Sequence, residues 1–230
     1  MTSFEAFRNL TGWRRPGRDH GCKPTEIAPG VWTAHYHDID TPAKLKAATG
    51  GAPIRLVVNS ALCQCEARDG FYGPEVEVME VELQDDPDPR KQFDQGKPTQ
   101  SECATPGIPD AKRCPGDVKR HFESVIAATE ATLASGGHVV IHCHASLSRS
   151  AALLLAYFMK SRGWTLLEAG EFVKRRWDAT WPCDRFVLQL MEYERELSDA
   201  PKRMFDTGLT FAAGIAAGAL LVVALRARGG

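Results

Sequence analysis

Val139-Val140-Ile141-His142-Cys143-His144-Ala145-Ser146-Leu147-Ser148-Arg149-Ser150 is the stretch on which the reading of this chain turns. Val139 to His142 is the kind of short apolar run that forms a buried strand, and Ala151 to Met159, directly behind the quoted residues, is almost wholly apolar, as a central helix packed on a sheet should be. A strand therefore runs through a short loop into a helix, with a cysteine at the start of the loop and an arginine at its end. A loop of this length can curl so that its backbone N–H groups converge. Added to the positive end of the helix dipole, they make a cradle for an anion the size of phosphate.

In such a cradle the thiol of Cys143 should fall well below its ordinary pKa of ~8.5 and act as a nucleophile at neutral pH. The planar fork of Arg149 can hold two phosphoryl oxygens at once and gains as their charge reorganises, which lysine cannot reproduce. The hydroxyl of Ser150 is placed to donate to the thiolate, and His142 to order the loop through its ring nitrogens. A cysteine and an arginine at this spacing also arise by chance, as a plain buried thiol and a helix-start residue. The strand-and-helix context is what gives the pattern a mechanism.

Outward from the loop, strand and helix signals alternate. Val31 to Tyr36 and Ile54 to Asn59 read as strands, with Thr41 and Pro42 as cap and first residue of a short helix between them. Val76, Val78, Val81 and Leu83 alternate with glutamates and predict a strand ending near Gln84. Asp117 is expected to cap a helix that Gly136 and Gly137 stop. Thr165 and Glu168 form a capping box for a helix ending near Trp177, and an amphipathic helix covers Asp184 to Leu197. The fold class is α/β, a central, mainly parallel sheet flanked by helices. The stretch Pro87 to Gly116 is rich in proline and charge, without periodicity, and reads as an insertion.

The loop residues His142-Cys143 through Arg149-Ser150 resemble the HCxxGxSRS signature of the dual-specificity phosphatases, within the cysteine-based protein tyrosine phosphatase superfamily. Ala28-Pro29-Gly30-Val31-Trp32 resembles the opening strand of that family, and Val57-Val58-Asn59-Ser60-Ala61 its "LNxA" strand end. Ala156-Tyr157-Phe158-Met159 and Glu168-Ala169-Gly170-Glu171-Phe172-Val173-Lys174 resemble its later helices. The resemblance spans roughly Glu26 to Leu197 and implies a catalytic domain over 26–198 with an insertion at 87–116.

It further implies hydrolysis of phosphotyrosine and phosphoserine/threonine in proteins through a phosphocysteine intermediate. Because that intermediate sits on the enzyme's own sulfur no cofactor is expected, and because Cys63 and Cys65 have no second pair at zinc-ligand spacing no metal is expected. Substrate phosphate would lie against His144, Ala145, Ser146, Leu147, Ser148 and Arg149. By the same resemblance Asp85 protonates the leaving oxygen and later deprotonates the attacking water, with Asp86 and Asp88 as rivals. Two departures stand out: the family's loop glycine falls at Ser146, and the insertion separates Asp85 from Cys143 by more than usual. A left-handed backbone at Ser146 would cost about 1–2 kcal/mol.

A lipid phosphatase is the nearest alternative, but Arg149 is the lone arginine or lysine in the loop. A phosphate-binding pseudophosphatase has only Ser146 in its favour, and the matching helices argue against a rhodanese-like sulfur carrier. The formal net charge of -1, with basic residues spread along the chain, gives no nucleic-acid surface. Seven scattered cysteines predict a reducing, cytosol-facing setting, and a reversible disulfide between Cys63 and Cys143 is a weaker expectation than a plain thiol. From Thr207 to Leu225 no residue is charged, and at the helical rise this stretch spans ~28 Å, one hydrocarbon core. It predicts a single-pass transmembrane tail anchor with the catalytic domain in the cytosol; Gly214 and Gly218 suggest a homodimer through it. Residues 1–25, where Phe4, Phe7, Leu10 and Trp13 alternate with arginines, read as a loose N-terminal arm.

Overall fold

A computed structural model describes residues 2–14, 16–17, 20–62, 64–83, 85 and 117–199. In it the apolar run at Val139 becomes the middle strand of a five-stranded sheet. In chain order the elements are α1 (Ser3–Thr11), β1 (Thr25–Ala28), β2 (Val31–Thr33), α2 (Pro42–Ala48), β3 (Ile54–Asn59), β4 (Glu77–Glu80), α3 (Phe122–Ala134), β5 (His138–His142), α4 (Arg149–Arg162), α5 (Leu166–Lys174) and α6 (Asp184–Asp199). The strands lie in the order β1-β2-β5-β3-β4. β5 is parallel to β2 and β3, β3 is parallel to β4, and only β1 runs antiparallel, against β2. The sheet is mixed, and the parallel strands point their carboxyl ends to one edge, where open α/β sheets hold their ligands.

Both faces of β3 and β5 are covered, which is why these strands are continuous apolar runs rather than alternating ones. Leu56, Val58, Val139 and Ile141 face a large core with Val125, Leu153, Phe158 and Phe186, whereas Val57 and Val140 face a smaller one with Leu45, Tyr72 and Cys143. Thr41 caps α2, and the Thr165 and Glu168 capping box opens α5.

The structure departs from the sequence reading at five places, the first being β4, which ends at Glu80 rather than near Gln84, with Val81 and Leu83 beyond it. Ala28-Pro29-Gly30-Val31-Trp32 is not one strand but the tip of a hairpin, with Gly30 at φ 79 joining β1 to β2. The segment 31–36 leaves the sheet after Thr33, because the Tyr36 N–H turns aside to the His144 carbonyl at 2.9 Å. α3 begins at Phe122, after a 3-10 turn over Lys119–His121, so Asp117 lies at that turn and not at the α-helix start.

The largest departure is at the N-terminus. The segment read as a loose arm contains α1, whose Thr2 and Glu5 form a reciprocal capping box. Phe7 and Arg8 are each 1% exposed. α1 docks on α5 at Gly170, where an added Cβ would lie 2.7 Å from the Phe7 ring.

Among the described residues no helix is long and apolar enough to cross a membrane. The expected span 207–225, the insertion 87–116, the rivals Asp86 and Asp88, and Cys63 lie outside the described residues. Apart from Asp199, the last residue of α6, the elements above lie in one compact unit that ends at residue 198.

Candidate active site

The loop between β5 and α4 is built from the outside. The His142 carbonyl accepts from the N–H and the hydroxyl of Ser60, and the Cys143 carbonyl from Nδ1 of His142. Tyr36 N–H donates to the His144 carbonyl at 2.9 Å, His20 Nε2 to Ala145 at 2.8 Å, Trp177 Nε1 to Ser146 at 2.8 Å, and Trp181 N–H to Leu147 at 2.7 Å. Ala152 N–H takes the Ser148 carbonyl at 2.9 Å, as the first turn of α4 requires. A trans peptide holds its C=O and the following N–H on opposite sides. With the carbonyls of residues 143–148 drawn outward, the N–H groups that follow them turn inward, toward the cysteine.

That curvature needs one left-handed residue, and it is Ser146, at φ 49, the one non-glycine residue with positive φ among those described. The position at which the resemblance places a glycine is therefore strained. The serine offers a compensation that glycine lacks, since its Oγ donates to the Ala34 carbonyl at 2.5 Å and accepts the Cys143 N–H at 3.3 Å.

Cys143 is 3% exposed. Burial alone would push its thiol up, but the Arg149 guanidinium and the N–H and hydroxyl of Ser150 outweigh it, with Asp85 acting against them, and the thiol is held below its ordinary value. Ser150 Oγ lies 3.5 Å from Cys143 Sγ. The adjoining His142 is driven the other way: burial first, then the charges of Arg149 and His144, lower it to about 4. It is a neutral ring at pH 7, with Nδ1 donating to the Cys143 carbonyl.

Asp85 reaches the loop through Ser148, whose hydroxyl donates to its Oδ1 at 2.6 Å and accepts from the Cys183 N–H at 3.0 Å. Cys143, Arg149, Ser150, Ser148 and Asp85 thus converge, while Ala145 and Leu147 are buried and His144 is half-buried. The ring of His144 lies 5.6 Å from that of His35 and 5.2 Å from that of His37. Among the described residues no group of His, Cys, Asp or Glu side chains is placed to hold a metal ion. A thiolate inside a ring of N–H donors, with a guanidinium and a carboxyl group beside it, has the parts needed for in-line transfer of a phosphoryl group onto sulfur and then to water.

Comparison with known proteins agrees with this geometry. The model of the family described as "Dual specificity phosphatase, catalytic domain" matches residues 78–196, just over half of the chain. The chain belongs to that family. This dual-specificity phosphatase family member is 34% identical to human dual specificity protein phosphatase 5 over 103 residues, which cover 43% of this chain and 27% of that protein. With the rat protein of the same name it shares 37% over 81 residues, 35% of this chain and 21% of that one. The chain therefore spans about a quarter of the length of these relatives. Among solved structures it is similar to human DUSP28, at a TM-score of 0.57 and 25% identity, covering 77% of this chain and 96% of that one. The human tyrosine phosphatase-like serine/threonine/tyrosine-interacting protein shares the fold, at a TM-score of 0.57 and 22% identity over 80% of this chain and 98% of that one.

Several residues of the family member's site carry no sequence signal. Gln64 accepts from Arg149 Nη2 at 2.5 Å. Tyr36, Trp177, Trp181 and His20 hold the outside of the loop from far away in the chain. Only Asn59-Ser60-Ala61 was visible beforehand, as part of the resemblance. Its use is now physical: Ser60 donates twice to the strand end at His142, and Asn59 closes the neighbouring loop.

Proposed function

We propose that this chain hydrolyses phosphomonoesters, in particular phosphotyrosine and phosphoserine/threonine of proteins, through a phosphocysteine intermediate. The observation that carries the reading is the loop itself, with its carbonyls taken from outside and a buried cysteine at its centre, within reach of the Ser150 hydroxyl and the Arg149 charge. Cys143 thiolate attacks phosphorus and forms the S–P bond as the ester O–P bond breaks. Arg149 and the inward N–H groups of residues 144–149 hold the equatorial oxygens where charge reorganises. Asp85, carried by Ser148, gives its proton to the departing oxygen and then takes one from the water that cleaves the S–P bond, releasing inorganic phosphate. Ser150 donates to the thiolate as it leaves. The loop's charge favours a phosphoprotein over a polyanionic lipid, because Arg149 is its one strong cation.

The test is hydrolysis of p-nitrophenyl phosphate by the full chain in detergent, beside Cys143→Ser and Asp85→Asn. Wild type should turn over and Cys143→Ser should not, while Asp85→Asn should lose ~10²–10⁴ in rate. Phosphopeptides should then be better substrates than phosphoinositide vesicles, and the reverse order would install the lipid reading. Tungstate binding by a wild type that hydrolyses none of these would make the domain a phosphate reader.

For residues 207–225 we propose a single membrane span, with the catalytic domain on the cytosolic side. The support is the uncharged stretch of one bilayer's length between charged flanks. Extraction of the full chain from membranes by alkaline carbonate would contradict it. Association through Gly214 and Gly218 rests on the same span and should be lost in the Gly214→Leu variant.

A further inference from the structure

We infer that His20, contributed by the N-terminal segment, is a positioning residue for the phosphate loop. The inference rests on the proposed reading of that loop as a phosphoryl-transfer site. His20 stands far upstream of the residues that match the family model, which begin at 78.

The ring is fixed at both nitrogens. Nδ1 accepts the Cys22 N–H at 3.1 Å, so Nε2 carries the proton and donates it to the Ala145 carbonyl at 2.8 Å. Its face is set by the indole of Trp177, edge-on with centroids 5.2 Å apart. That same indole donates to the next carbonyl, of Ser146. His20 and Trp177 therefore form one unit that holds two successive carbonyls outward, those of the peptides that enter and leave the left-handed residue. Without the His20 donor, the Ala145 carbonyl is the one free to rotate inward. It would turn the Ser146 N–H out of the cradle and bring a partial negative charge toward the thiolate.

The segment that carries His20 is tied to the loop by a second route. Arg8 of α1, buried, donates to the Pro182 carbonyl at 2.7 Å and to Asp184, and its guanidinium lies 4.7 Å from the Trp181 ring. Trp181 Nε1 donates to the Gly12 carbonyl at 2.9 Å, and its own N–H holds the Leu147 carbonyl. α1 thus secures the Leu147 brace, and His20 touches the loop directly through its bond to Ala145.

The test uses the full chain as wild type, His20→Ala, His20→Gln and, as a control for docking of α1, Phe7→Ala. Three quantities are read: tungstate affinity by calorimetry, the pH profile of iodoacetamide alkylation of the Cys143 peptide by mass spectrometry, and kcat with KM on p-nitrophenyl phosphate. His20→Ala should weaken tungstate about five- to tenfold, move the alkylation midpoint upward and lower kcat by a similar factor, the loss of about one hydrogen bond at the cradle. His20→Gln, whose amide N–H can still reach the carbonyl, should recover most of this. Phe7→Ala should lower thermal stability more than it lowers tungstate affinity. Wild-type values in His20→Ala would overturn the inference, as would a Gln variant no better than Ala. A wild type that neither binds tungstate nor turns over the ester overturns the proposed function instead, and the alkylation profiles still report whether His20 sets the polarity of the loop.

Discussion

The loops that follow β5 and β3 leave adjacent parallel strands at the same edge of the sheet, yet they are closed in opposite ways. The β3 loop closes on itself. Asn59 Nδ2 donates to the Ala67 carbonyl at 2.8 Å, Asn59 Oδ1 accepts the Ala61 N–H at 3.0 Å, and Arg68 donates to the carbonyls of Leu62, Cys65 and Ala67. The β5 loop is held by donors far off in the chain, His20, Tyr36, Trp177 and Trp181. The difference follows from what each loop leaves exposed inside. A loop that satisfies its own carbonyls has no converging N–H groups to offer. A loop whose carbonyls are satisfied from outside has all of them.

The comparison is broken most directly where the two loops touch, at Arg149 and Gln64. Arg149→Lys should lower kcat/KM by roughly 10²–10³, because a point charge cannot span two equatorial oxygens. Gln64→Ala removes only a neutral acceptor of one guanidinium N–H, and its loss should stay below about tenfold. Steady-state kinetics on p-nitrophenyl phosphate separates them. Equal losses would mean that the β3 loop is part of the chemistry rather than its support.

Asn59→Ala sharpens the same contrast from the other side. It strips two buried hydrogen bonds from a side chain 0% exposed, and urea unfolding should show a loss of about 2–3 kcal/mol. The kcat of the folded protein should change less than threefold. A variant that kept its stability and lost its rate would reverse the assignment of the two loops.

What was legible in the sequence divides along this line as well. β3, β5, α4, α5 and α6 are local patterns of apolar residues and caps, and they could be read because burial on two faces or one writes itself into consecutive positions. Cys143, Arg149 and Ser150 were legible because the chemistry needs them at fixed spacing in one loop. β1 was not, being four residues long before a Pro-Gly turn. Nor was the docking of α1, which depends on the absence of a side chain at Gly170, more than a hundred residues away. His20, Tyr36, Trp177 and Trp181 act by reaching a carbonyl across the fold, and a carbonyl leaves no trace in sequence.

A smaller effect comes from His142, which joins β5 to its loop. Its folded-state pKa is about 4, below the ordinary 6.5, because burial excludes the charged ring. The unfolded chain therefore binds its proton first as pH falls. The stability this group confers is complete above pH 6.5 and declines from there to about pH 4. Between pH 7.5 and pH 5 the loss from this site should be about 2 kcal/mol. His142→Asn, which keeps a donor for the Cys143 carbonyl but does not titrate, should show a correspondingly shallower fall in urea midpoint. Parallel pH profiles would mean that the ring is hydrated and charges in place.

The finest test lies at Ser146, where the β5 loop bends. Its left-handed backbone costs about 1–2 kcal/mol for a residue with a Cβ, and its hydroxyl bonds to Ala34 and Cys143 offset a similar amount. Ser146→Gly gives up both, so its stability should stay within about 1 kcal/mol of wild type. Ser146→Ala keeps the strain and loses the bonds, and should fall about 1 kcal/mol or more below Ser146→Gly in urea unfolding. The gap between the alanine and glycine variants isolates the backbone term, because neither makes a side-chain hydrogen bond. If the two are equally stable, the braces at Tyr36, His20, Trp177 and Trp181 do not force the left-handed turn, and the outside of the loop is less constraining than its carbonyl pattern implies.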